Sequence, residues 1–106
     1  MESYLSVDLA DRQEATVLTV SGELDMSSGP RLAAALEQLE STQRRVILDL
    51  SGLEFIDVTG LRVLLRARER ARGAGVELAV VNASRGVRRL LSVTGTTELL
   101  DGGDNR

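Results

Sequence analysis

Arg45 to Leu50 reads RVILDL, a short and almost unbroken apolar run, typical of a strand buried on both faces in a sheet covered by helices. The stretch Ser51 to Ile56 reads as a loop. It delivers Asp57, a favourable helix N-cap, ahead of Leu61, Leu64, Leu65, Arg68 and Ala71 at helical spacing. A strand, a loop and a capped helix are therefore expected here, with Gly73 and Gly75 stopping the helix.

The flanking text extends the pattern. Leu5 to Leu9 and Ala15 to Val20 alternate apolar and polar residues as half-buried strands do, and the polar Asp11 to Glu14 between them reads as a hairpin turn. Ser27 or Ser28 is placed to cap a helix with Pro30 in its first turn and Leu32, Ala35, Leu36 and Leu39 along one side. Val76 to Val81 is a further buried strand, Ser84 starts a helix running to about Ser92, and Thr97 to Leu100 forms a short final element. The resulting order, ββαβαβα, implies an α/β fold with a mixed sheet of about four to five strands, because parallel neighbours need helical crossovers. The 106 residues make one domain, with about 102–106 as a frayed tail.

Composition narrows the chemistry. Cysteine, histidine and lysine are absent, so thiol and Ser-His-Asp catalysis, Cys/His zinc sites, lysine Schiff bases and a P-loop lysine are all excluded. No enzyme activity, metal or cofactor is expected. With one Tyr, one Phe and no Trp, the core must be aliphatic. A net charge of −3 argues against a nucleic-acid surface, whose affinity comes mainly from neutralising phosphates. No apolar run reaches about 18 residues, and a chain without cysteines suits a reducing compartment, so a cytoplasmic protein with protein partners and no membrane insertion is expected.

Two stretches, GELDMSSGPRL at Gly22 to Leu32 and VILDLSGLEFIDVTGLRVLL at Val46 to Leu65, resemble the STAS domain family, and within it the bacterial anti-sigma-factor antagonists. The family's usual text is a G-[DE]-L-D turn before the first helix and a V-D-[LF]-S-x-[LV]-x-[FY]-[IM]-D-[ST]-[ST]-G-L stretch entering the second. The resemblance implies a switch protein that binds an anti-sigma factor with a histidine-kinase-like ATPase fold and so frees a sigma factor. Phosphorylation of the antagonist on Ser or Thr by that partner would release the grip, and a PP2C-type phosphatase would restore it.

The resemblance places the partner-binding surface on Glu23, Asp25, Ser27, Ser28, Asp57, Val58, Thr59, Gly60, Arg62 and Arg66. Asp25 is expected near Asp57 and facing the kinase or its nucleotide. Gly60 is expected to let a partner's backbone or nucleotide come close, and Arg62 and Arg66, four apart, share a helix side that suits acidic partner residues. A phosphate in the first turn of a helix is tolerated, because free amides and the helix dipole favour negative charge. The sequence departs from the family at the most consequential point, for Val58 occupies the usual acceptor position. Thr59 is then either a displaced acceptor or a helix-end hydrogen bonder in a chain that is never phosphorylated.

Bland readings stand beside these: Asp57 as a plain N-cap, Asp25 as a turn former, and Glu23 and the arginines as solvated charges. Asp49 superficially resembles the phosphorylated aspartate of receiver domains, which also require a lysine that this chain lacks. An accessory subunit of a lipid-transporting ABC complex is the alternative function, since such STAS relatives carry a similar helix start.

Overall fold

The structure, a computed structural model, describes residues 4–12, 15–40 and 45–100. The elements run β1 (Leu5–Arg12), β2 (Ala15–Leu24), α1 (Gly29–Glu40), β3 (Arg45–Ile56), α2 (Val58–Gly73), β4 (Glu77–Val81) and α3 (Arg85–Thr94), followed by a 3-10 turn at Thr97–Leu100. The α/β order matches the sequence reading. The described strands form one mixed sheet in the order β1-β2-β3-β4, antiparallel between β1 and β2 and parallel thereafter.

That order decides where the helices lie. The β2–α1–β3 and β3–α2–β4 connections both step the same way across the sheet, and right-handed crossovers then place α1 and α2 on the same side. A single core forms between sheet and helices, from Leu18, Val20 and Leu24 of β2, Val46, Leu48 and Leu50 of β3, Leu32 and Leu36 of α1, and Leu61 and Leu64 of α2. Val87 and Leu91 of α3 and Leu99 and Leu100 of the 3-10 turn join the same cluster. No aromatic side chain is among its buried members.

The expectation that β3 is buried on both faces is corrected. Val46, Leu48 and Leu50 are buried, whereas the intervening Ile47 and Asp49 are only partly so and lie outside the core cluster. They share the face opposite α1 and α2 with their cross-strand neighbours, Val17, Ile47 and Ala79 in one row and Thr19, Asp49 and Val81 in another, where all but Ala79 are partly exposed.

The expected loop at Ser51 to Ile56 is also corrected, because β3 continues to Ile56. Between Thr19 and Ser21 on β2, β3 advances from Asp49 to Gly52, and between Gly22 and Glu23 it advances from Leu53 to Phe55. Each step leaves β3 with one extra residue, a bulge that breaks the period-2 pattern by which strands are recognised. Asp49 lies inside β3 rather than at its end. Its carboxylate accepts from the Ser51 amide at 2.9 Å and from Asn82 Nδ2 at 3.3 Å. Partial burial pushes this carboxyl up, but the hydrogen bonds from Ser51 and Asn82 outweigh it and hold the group below its ordinary range.

Two smaller differences concern strand ends. β1 runs through Asp11 and Arg12, placing Asp11 opposite Thr16, whose hydroxyl donates to it at 3.2 Å, so the part of the expected Asp11 to Glu14 turn that is described belongs to a strand. The remainder of that turn and the 102–106 tail fall outside the described residues. Helix α2 closes as expected, with Gly75 at φ +76° and the Val76 amide donating back to the Ala71 carbonyl at 2.7 Å.

Candidate functional site

Leu24 and Ile56 are register partners at the ends of two parallel strands, so the residues that follow, Asp25 and Asp57, leave the sheet side by side. The Asp57 amide donates to the Leu24 carbonyl at 3.3 Å and ties the two exits together.

Asp25 organises the turn into α1. Its Oδ1 accepts from the amides of Ser27 at 3.0 Å and Ser28 at 3.2 Å, and its carbonyl accepts from the Gly29 amide at 2.8 Å. Capping of the helix entry therefore involves the Asp25 carboxylate, where a serine hydroxyl was expected. Ser28 is fully buried, its hydroxyl donating to the Glu23 carbonyl at 2.7 Å and accepting from the Asp25 amide at 3.0 Å. Its assignment to the partner-facing surface is thereby corrected: a short hydroxyl turned inwards satisfies two backbone groups at a bend that no ladder serves.

Asp57 is the N-cap of α2, with extended backbone (φ −112°, ψ −175°) and Oδ1 accepting from the Gly60 amide at 2.8 Å. Replacing Asp57 by alanine is expected to destabilise the protein by about 1 kcal/mol in urea unfolding, the usual cost of losing a cap. Asp57→Asn should recover most of it.

Gly60 is buried, and its reading as an opening for a partner is corrected. A Cβ at this position would collide with the Leu24 carbonyl oxygen, so its missing side chain makes room for the end of β2 within the same chain. The requirement comes from α2 starting directly against the neighbouring strand.

The remaining predicted residues come together at the surface. Glu23, Ser27, Val58, Thr59, Arg62 and Arg66 are exposed, while Asp25 and Asp57 are half-buried among them. Thr59, Arg62 and Arg66 follow one another at i, i+3 and i+7 along a single side of α2. Val58 is 55% exposed, and Met26, which the sequence reading passed over, is 73% exposed on the adjacent turn. An apolar Met set within the polar turn DMSS, with no helix or strand to bury it, was the available signal.

Oδ1 of each of Asp25 and Asp57 is taken up by backbone amides, so both carboxylates are tied to the turns they begin. Both crossovers among the described strands step one way, so these strands contain no topological switch point. No described helix is long and apolar enough to cross a membrane.

Comparison with known proteins agrees with this fold. A family model for the STAS domain matches residues 6–105. A STAS-domain containing protein of Pseudomonas aeruginosa is 30% identical over 90 residues, covering 85% of this chain and 88% of its own length. An anti-sigma F factor antagonist of Paenibacillus polymyxa is 29% identical over 105 residues, covering 95% and 88%. The crystal structure of an anti-sigma factor antagonist from Mycobacterium paratuberculosis superposes with a TM-score of 0.82 at 28% identity, over 92% of this chain and 83% of that one. With its sequence motifs, strand order and helix placement in agreement, the chain belongs to the STAS domain family.

Proposed function

We propose that the protein is an anti-sigma-factor antagonist whose docking surface is the patch formed by the β2–α1 turn, the start of α2 and the exposed side of that helix. The observation that carries this reading is the convergence of Met26, Val58, Thr59 and Arg62 as exposed neighbours of the paired strand exits. An apolar centre with a charged rim is the usual anatomy of a protein interface. Relatives named as antagonists of anti-sigma factors support the assignment.

The partner in this reading is an anti-sigma factor with a histidine-kinase-like ATPase fold, and its capture leaves a sigma factor free. Thr59 is the acceptor of a regulatory phosphoryl group: its Oγ1 takes the γ-phosphoryl of ATP with release of ADP, and a PP2C-type phosphatase hydrolyses the ester. Exposure and placement in the first turn of α2 favour the acceptor role. A group carrying about −1.5 to −2 charges beside the half-buried Asp57 would then have to be desolvated at the interface, which releases the partner.

The test mixes the protein with an ATPase-fold anti-sigma factor and Mg-ATP and follows complex formation together with intact mass. One added phosphoryl group on Thr59 with loss of the complex is the expected result. Thr59→Glu and Arg62→Glu, both at exposed positions, should each weaken binding at least about tenfold while leaving the unfolding midpoint within error. Affinities within about twofold of the parent for both variants would sink the proposed surface. Binding without a mass change would retain the antagonist and remove the switch.

A further inference from the structure

The chain has one tyrosine and one phenylalanine, and neither is in the core. Tyr4 is 71% exposed and Phe55 50% exposed. Fully burying such a ring typically contributes about 1.5–3 kcal/mol, a stabilisation this fold largely forgoes at both positions.

Their positions are related. The Glu23 amide donates to the Tyr4 carbonyl at 2.8 Å, and Glu23 is the register partner of Phe55. Tyr4, Glu23 and Phe55 thus form one cross-strand row. They alternate with Leu5, Leu24 and Ile56, which belong to or pack on the core, so the row is turned towards the face without helices. The Tyr4 ring is set by Gly22, which has φ +103° and no side chain, allowing the ring edge and the Tyr4 carbonyl to lie where a Cβ would stand.

The charge of this face is graded along the strands. Its acidic members in register are Glu23 in this row and Asp8 and Asp49 midway along the sheet, whereas Arg12 and Arg45 lie at the opposite end, where Arg45 pairs with Glu77 at 3.6 Å. Two aromatic residues whose Cα atoms stand two strand spacings apart, about 10 Å, with an exposed acidic residue between them offer ring faces and negative charge to a cation.

We infer that the Tyr4–Glu23–Phe55 row is a docking subsite for an arginine side chain of a protein partner. The guanidinium is flat enough to enter between the rings, stacks on aromatic faces, and forks onto a carboxylate. An ammonium ion-pairs with a carboxylate and is attracted to a ring face, but it is neither flat nor forked. The inference does not rest on the anti-sigma reading, although Glu23 borders both surfaces.

With one Tyr and no Trp in the chain, intrinsic emission reports on this row alone. The experiment titrates the intact protein with an acetylated, amidated Gly-Arg-Gly-Arg-Gly peptide, following Tyr4 emission and the backbone amide shifts of Glu23 and Phe55. Saturable changes at all three residues are expected, weakened at least about fivefold with the lysine peptide and absent with an all-glycine peptide. Glu23→Gln and Phe55→Ala, with the remaining amide spectrum conserved, should each weaken the response at least about tenfold. A linear response, an equal response to the lysine peptide, or undiminished binding by Glu23→Gln would overturn the inference. Emission that changes with protein concentration alone would overturn it in favour of a second copy of the chain covering the row.

Discussion

Gly60→Val is expected to be among the most destabilising single substitutions in this protein, costing about 3 kcal/mol, although no partner or ligand is involved. The added Cβ would meet the Leu24 carbonyl oxygen and carbon as well as the Leu24 side chain, and only the last has any freedom to move. Overpacking of this kind typically costs 1–3 kcal/mol. Forcing α2 outward would also stretch the bond from the Gly60 amide to Asp57 and the Asp57–Leu24 tie. Gly73→Ala is the matched control: nothing stands within 4 Å of a Cβ there, so a gain of up to about 1 kcal/mol is expected from helix propensity. Urea midpoints of the two variants decide the matter. A midpoint for Gly60→Val close to that of the parent would mean that α2 does not start against β2.

A comparably large effect is expected one residue away from a small one. Leu48→Ala should cost about 3–4 kcal/mol, because Leu48 is completely buried in the aliphatic core and truncation leaves a cavity. Ile47→Ala should cost about 1 kcal/mol, since that side chain faces the uncovered side and already meets water. Urea unfolding with an unchanged m-value measures both. Equal costs would show that both faces of the sheet are covered in solution.

These substitutions bear on why the sequence led to a two-sided sheet. RVILDL contains Ile47 between Val46 and Leu48, and a continuous apolar run on its own does imply burial on both faces. The run cannot reveal that two successive crossovers step in one direction, and that direction is what leaves Ile47 without a helix over it. SGLEFI was misread for a related reason. Two bulges break the alternation that identifies a strand, and only pairing with β2 establishes that this stretch is one.

The site divides along the same line. Asp57 as a helix cap was legible, because capping depends on local chemistry between a carboxylate and an amide three residues on. So was the adjacency of Asp25 and Asp57, through the family resemblance. The inward turn of Ser28, the packing of Gly60 on Leu24 and the exposure of Met26 were not, since each depends on which backbone atoms lie across a strand exit.

The sequence by itself determined the order of strands and helices, the aliphatic make-up of the core, the cap of α2 and the absence of histidine, cysteine and lysine chemistry, because periodicity, side-chain volume and functional-group inventory are properties of the chain alone. Only the tertiary structure decided which face of the sheet stays open, which small residues serve the fold rather than a partner, and that Tyr4 and Phe55, 51 positions apart, end in one row with Glu23. Those outcomes follow from strand register and crossover direction, which arise between segments remote in the chain and leave no local trace in either.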